Sequence, residues 1–338
     1  MKYKLKPLGQ QVMVITGAGS GIGRATAQMA AQHGARLVLA CRNEEALNKL
    51  VDELRKKGTD VIAVPTDVGV AADHEKLLAA ALQRYGRIDT WVNNAGVSIF
   101  GRLEEVPLED QRKLFETNYW GVVYGSLTAL PHLKQHGGAL INLGSEVSDR
   151  AIPLQAAYSA SKHAVKGFTD ALRMELLDEG APVSVTLVKP AAINTGFTRH
   201  AKNYMDVEPV LPPPIYAPEV VARAILYAAE HPQRDVFVGG AAKMISSAGQ
   251  RMPGLMDKLF TRSLVRQQRS NVPATQRSDG LHQASDDQEQ DQRPGSKVLR
   301  HSAYTHLTTS GRGWVYAGLG LALGYAVLAA APRVRRRL

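Results

Sequence analysis

An α/β domain on a doubly wound parallel sheet, of about seven strands with helices on both faces, is the fold this sequence predicts. Three observations lead there. From Val12 to about Gly239 short apolar runs alternate with longer amphipathic stretches, the apolar runs are nearly unbroken, and the connections between them are short. Unbroken apolar strands are buried on both faces, which a parallel sheet covered by crossover helices provides. At 338 residues the chain has ample length for such a core.

The strands are expected at VMVIT (12–16), RLVLA (36–40), DVIAV (60–64), IDTWV (88–92), ALINL (139–143), VSVTLV (183–188) and DVFV (235–238). Gly34 and Gly58 fall where the first two helices should end, since glycine takes the left-handed conformation that closes a helix. Beyond residue 240 the rhythm stops. In residues 241–268, Leu255, Leu259, Leu264 and basic side chains recur at roughly helical spacing, which predicts an amphipathic helical extension. Residues 269–313 are polar and poor in large apolar side chains, the composition of a disordered linker. Residues 314–331 (WVYAGLGLALGYAVLAAA) carry no charge, and residues 332–338 form a basic tail.

A helix over 314–331 would span ~27 Å, near the ~30 Å of a bilayer's hydrocarbon core. Gly320 and Gly324 give the small-residue spacing of packed membrane helices, and Trp314, Tyr316 and Arg333, Arg335, Arg336 and Arg337 would mark the two interfaces. A soluble or dimer-interface helix remains the alternative. The net charge of +10 is also a property of this end. Residues 1–240 carry 26 Lys and Arg against 25 Asp and Glu, whereas residues 241–338 carry 15 against 6. That distribution argues against a nucleic-acid-binding domain and points to anionic lipid as the tail's partner, or to a tail that aids solubility. The single cysteine, Cys41, excludes an intrachain disulfide, and the first ten residues lack the apolar core of a secretory signal. The expected location is therefore membrane-associated, with the catalytic domain facing the cytoplasm.

The chemistry begins at the first strand-to-helix turn, Thr16-Gly17-Ala18-Gly19-Ser20-Gly21-Ile22-Gly23. Glycines between a strand and a helix N-terminus let backbone approach a pyrophosphate, although this spacing is GxxxGxG rather than GxGxxG. Further on, Asn93-Asn94-Ala95-Gly96 closes the fourth strand, Ser145 follows the fifth, and Tyr158 and Lys162 stand four apart on one face of the next helix.

In this order and on these elements, the motifs resemble those of the short-chain dehydrogenases/reductases, in their shorter Rossmann-fold branch, over residues 10–240. The resemblance implies a Rossmann-type NADP-binding oxidoreductase domain over residues 1–240. It also implies that Gly17, Gly21 and Gly23 hold the dinucleotide, with Thr16, Ser20 and Ile22 beside them, and that Asn94, Ala95 and Gly96 line the cofactor. Asp67 and Val68 would contact the adenine. The implied catalytic set is Asn118, Ser145, Tyr158 and Lys162, with Asn118 anchoring a water chain to Lys162. After the sixth strand the family usually has Pro-Gly and then a threonine for the nicotinamide carboxamide; here Pro190 is followed by Ala191, with Ile193 and Thr195 beyond.

Reducing a carbonyl builds negative charge on its oxygen, so the site must supply a proton and a hydrogen bond there. Tyr158 supplies the proton, its pKa lowered by the Lys162 ammonium, and Ser145 holds the oxygen. At the end of the second strand, where a carboxylate would select NAD, the sequence has Cys41-Arg42-Asn43, and Arg42 suits the 2′-phosphate of NADP. The resemblance implies a substrate lid over residues 196–218, with Tyr204, Met205 and Leu211-Pro212-Pro213-Pro214, and its apolar, proline-stiffened composition favours an apolar or amphipathic substrate. His132, His136 and His163 make no metal constellation. The reading is an enzyme interconverting an alcohol and a ketone or aldehyde with NADP(H). The rival is a non-catalytic NADP-binding regulatory or scaffold protein docked on a membrane. Expected partners are the small-molecule substrate, membrane lipid through the C-terminal helix, and further copies of the chain in a homo-oligomer. A chain ending near residue 268 is expected to stay active.

Overall fold

The computed structural model describes residues 4–275, 277–284 and 297–310. Seven strands, β1 (Val12–Thr16), β2 (Arg36–Cys41), β3 (Val61–Pro65), β4 (Thr90–Asn93), β5 (Gly138–Leu143), β6 (Val183–Pro190) and β7 (Asp235–Val238), form one sheet in the order β7-β6-β5-β4-β1-β2-β3. Every neighbouring pair is parallel. The chain reverses its direction of travel across the sheet between β1 and β4, and the crevice beyond their carboxyl ends is where such folds bind ligands.

The period of two along each strand divides the core. Met13 and Ile15 of β1 face one way, into a layer formed with α1 (Gly21–Gln32), α2 (Glu44–Lys56) and α7 (Pro218–Glu230). Val12 and Val14 face the other, against α3 (Ala71–Tyr85), α5 (Gly121–His136) and α6 (Ala156–Asp178). Helix α2 shows how locally the fold is specified. Asn43 Oδ1 accepts the Ala46 N–H at 2.9 Å, Glu44 and Glu45 occupy the first turn, and Arg55 and Lys56 the last. Gly34 and Gly58, as expected, lie at the helix ends with φ of +79° and +85°.

Helix α4 (Leu108–Phe115) runs into α5 through a π-helical turn, Glu116–Trp120. The extra residue per turn rotates Thr117 and Asn118 into the buried side.

The C-terminal part departs from expectation. Two helices, α8 (Gly240–Arg251) and α9 (Pro253–Gln267), replace the single amphipathic one. Residues 269–275, 277–284 and 297–310 carry strands, a helix and tertiary contacts, which corrects the reading of a disordered linker over those residues; the rest of 269–313 lies outside the described residues. Arg269–Pro273 pairs antiparallel with Val207–Pro209 in the expected lid segment, Val298–Leu299 pairs parallel with Ile215–Tyr216, and α10 (Ala303–Thr309) follows. Backbone pairing and polar contacts hold this stretch where apolar burial is scarce: ion pairs from Arg277 to Glu208 and from Asp279 to Lys202 at 3.0 Å, and a hydrogen bond between His282 and Asp110 at 2.7 Å. The candidate membrane helix 314–331 and the basic tail 332–338 lie outside the described residues. Among the described residues, no helix is long and apolar enough to cross a membrane.

Candidate active site

Where β1 and β4 end side by side, Thr16 and Asn94 stitch them together. Thr16 Oγ1 accepts the Asn94 and Ala95 N–H groups at 3.0 and 3.2 Å, and Asn94 Nδ2 donates to the Thr16 carbonyl at 2.9 Å. The glycine turn is built for close approach. Gly17 and Gly21 have φ of +65° and +50°, and a Cβ on Gly23 would overlap the Gly17 carbonyl. Ser20, the N-cap of α1, makes no side-chain cap hydrogen bond, so that helix end offers its N–H groups to an anion.

A single cavity runs from this turn to the start of α6. Its walls include Gly17, Ser20, Gly21, Ile22, Arg42, Val68, Asn94, Ala95 and Gly96, and on the other side Ser145, Tyr158, Lys162, Pro190, Ile193 and Thr195. Thr16, Gly23, Asp67 and Asn118 are not among the lining residues. The Asp67 carboxylate accepts the Gly69 N–H at 2.9 Å and lies 3.7 Å from Lys113. Thr195 packs over Gly21, whose added Cβ would lie 3.1 Å from it. Ala191 brings no left-handed strain, since the only non-glycine residue with positive φ among the described residues is Leu154.

Asn118 is a brace. Its Oδ1 accepts the Val97 N–H at 2.8 Å, and its Nδ2 donates to the Val97 carbonyl at 2.9 Å and to Ser161 at 3.1 Å. Both amide protons are thereby committed. A Cβ on Gly96 would lie 3.3 Å from Asn118 Oδ1 and 3.7 Å from Lys162 Nζ, so this glycine keeps the space between them open.

The Ser145 hydroxyl accepts the Val147 N–H at 3.3 Å and is hydrogen-bonded to the Tyr158 phenol. Burial pushes the Tyr158 pKa up to about 12, opposed by that hydrogen bond and raised further by the nearby Glu146 carboxyl. The expected lowering by Lys162 is not found. Lys162 Nζ lies 5.8 Å from the Tyr158 ring centroid and donates to the Leu143 carbonyl at 2.8 Å, and burial lowers its own pKa to about 8. Desolvation of the phenol therefore outweighs an ammonium that is turned away and itself poorly solvated.

Two features were missed in the sequence. Gly280 and Ala284 line the cavity, and Leu281, fully buried, joins the apolar cluster that contains Tyr158, Val97 and Val147. Residues 277–284 thus form a roof, fastened by the Gly280 N–H to the His200 carbonyl at 2.7 Å and by Arg42, which donates to the Gly280 carbonyl and to that of Leu281 at 3.3 Å. Asp110 ties the roof to the lid by accepting from the Tyr204 hydroxyl and His282. The second feature is Glu146, a carboxyl in the cavity wall. No sequence motif marked either.

The donor set fits a nicotinamide dinucleotide. The glycine turn is a cradle that any Cβ would fill, the α1 N-terminus is open, and Thr117 Oγ1, buried without a partner, also lines the cavity. The family model for short chain dehydrogenases matches residues 11–205. The uncharacterized oxidoreductase YxnA of Bacillus subtilis is 48% identical over 281 residues, which cover 82% of this chain and 79% of that protein. An alcohol dehydrogenase from the archaeon Thermococcus sibiricus, solved with 5-hydroxy-NADP, is 30% identical with a TM-score of 0.59, covering 67% of this chain and 95% of its own. A short chain dehydrogenase/reductase from Burkholderia phymatum, in complex with NAD, is also 30% identical with a TM-score of 0.57, covering 80% of this chain and all of its own, 100%. From fold, cavity and kinship together, the chain is a member of the short-chain dehydrogenase/reductase family of oxidoreductases.

Proposed function

We propose that the protein interconverts an alcohol and a ketone or aldehyde with NADP(H). The observation that carries this reading is the convergence of Ser145, Tyr158 and Lys162 on the same cavity as the glycine turn and Arg42. The glycine turn and the α1 N-terminus would hold the pyrophosphate, Arg42 the 2′-phosphate, and Ile193 and Thr195 the nicotinamide end. The nicotinamide supplies or receives the hydride.

Ser145 Oγ holds the substrate oxygen by a hydrogen bond, and Tyr158 Oη gives that oxygen its proton as negative charge develops there. A phenol raised to about 12 stays protonated at neutral pH, which suits carbonyl reduction. Lys162, at about 8, is mostly charged near pH 7 and restores polarity on the proton's supply side. Asn118 keeps the backbone at Val97 in place behind them.

The test follows absorbance of the reduced cofactor with a panel of ketones and alcohols. Tyr158→Phe is expected to cut turnover by about 10²–10⁴-fold while leaving cofactor affinity nearly unchanged. Turnover close to wild type in that variant would sink the assignment. Residues 314–331 are proposed to anchor the enzyme to a membrane with the catalytic domain on the cytoplasmic side, the C-terminal charge excess favouring anionic lipid. The exposed Leu127 of α5 and Met174 and Leu177 of α6 support a homo-oligomer joined through those helices.

A further inference from the structure

The cavity contains one carboxyl that the chemistry above does not use. Glu146 follows Ser145 directly and is the only acidic residue among those lining the cavity. Its carboxyl has no hydrogen bond or ion pair among the described residues. The lysine and arginine that line the same cavity are engaged elsewhere: Lys162 Nζ at the Leu143 carbonyl and Arg42 at the roof. The same cavity is also lined by the apolar side chains of Val147, Ile152, Phe197, Leu211 and Pro212. It lies close enough to Tyr158 to act on the phenol electrostatically.

A desolvated carboxyl without a partner in the protein is costly unless something completes it, and a bound ligand's hydrogen-bond donor is the completion its place in the cavity lining offers. Burial alone holds the group well above the usual carboxylate range, at about 7, as expected for a side chain lacking a partner in the protein. A cationic donor is disfavoured, because Lys162 and Arg42 line the same cavity. We propose that Glu146 is a specificity-determining residue that accepts a hydrogen bond from a second hydroxyl on the carbon beside the reacting one, so that the substrate pair is an α-hydroxy ketone and its 1,2-diol. This rests on the alcohol–carbonyl reading above. In the reductive direction the carbonyl carbon gains the hydride of NADPH, its oxygen gains the Tyr158 proton, NADP⁺ is left, and the second hydroxyl is unchanged.

The experiment compares 2-hydroxyacetophenone with its near-isostere propiophenone. Dissociation constants are measured by calorimetry in the non-reacting complex with NADP⁺, for the full chain and for Glu146→Val and Glu146→Gln. The wild type is expected to bind the hydroxy ketone roughly 10–100-fold more tightly. Glu146→Val brings the ratio near one, and Glu146→Gln, which keeps an acceptor oxygen, retains part of it. A general loss of folding or of cofactor binding affects both compounds and cancels in the ratio. A wild-type ratio near one, no binding of the hydroxy ketone, tighter binding of 2-aminoacetophenone than of the hydroxy ketone, or a wild-type ratio that survives Glu146→Val each overturns the proposal. Turnover with NADPH is recorded separately. Absence of turnover for both ketones in a protein that binds them selectively would count against the oxidoreductase reading and leave the Glu146 assignment standing.

Discussion

Replacing Glu146 by glutamine should stabilise the free protein, and only at neutral to alkaline pH. Burial raises its carboxyl from 4.5 to about 7, a preference for the neutral form that costs roughly 3 kcal/mol once the group ionises in the folded state. Access to water through the cavity trims this to about 2 kcal/mol. The sign follows from the direction of the change. Below pH 4.5 the carboxyl is protonated in folded and unfolded chains alike, and nothing is lost. As pH rises from there the unfolded chain sheds its proton first, stability falls, and the loss is complete above about pH 8. Glutamine is neutral throughout, so its advantage should be near zero at pH 4.5 and about 2 kcal/mol at pH 8, or roughly 3 °C in Tm for a chain of this size. Thermal unfolding of both proteins at pH 4.5, 6 and 8, without cofactor, reads it directly. A difference independent of pH, or a glutamine variant that loses ground as pH rises, would refute the unpaired, desolvated carboxyl on which the calculation depends.

Arg42→Ala is expected to weaken NADPH by roughly 10–100-fold in Kd and NADH little, as loss of a charge-assisted phosphate contact requires, and cofactor titration measures both. Equal losses would make Arg42 a fastener of the roof alone. A chain ending at residue 268, expected from the sequence to remain active, should instead lose activity and several degrees of Tm, because it lacks Leu281 and the Asp110 and Arg42 contacts of residues 277–284; a chain ending at residue 310 should keep both. Equal activity of the two truncations would remove the roof from the site. The full chain should sediment with membranes, resist high salt and be released by detergent, whereas the chain ending at 310 stays in the supernatant; full-length protein wholly in the low-salt supernatant would rule out an anchor.

Periodicity and composition carried the sheet, because each strand is a short, predominantly apolar run set between longer amphipathic stretches: β1 and β7 fall where the sequence put them, and the other strands within two residues at each end. The Tyr158–Lys162 pair was readable because helical spacing alone places both on one face. The roof was not readable, since Arg277, Asp279 and His282 act through partners far away in the chain, Glu208, Lys202 and Asp110, and composition registers only that they are polar. The π turn at Glu116–Trp120 was hidden for a related reason: its segment has ordinary helical residues, and tertiary packing selects the register that buries Asn118. The Tyr158 pKa went the other way because spacing locates Lys162 but says nothing of which carbonyl its ammonium finds.

The roof also has a place in time. The last strand of the sheet ends at Val238, and the cavity is not closed until Ala284 has been made. At ~5–20 residues per second, a ribosome needs roughly 2–9 s to add the intervening segment. During that interval the nascent chain carries every residue of the glycine turn and of the Ser145, Tyr158 and Lys162 set, while the carbonyls that later engage Arg42 do not yet exist. A dinucleotide bound by the proposed site would therefore meet a newly made molecule before the roof is in place and a finished one after, so that capture during synthesis and exchange afterwards would face different barriers.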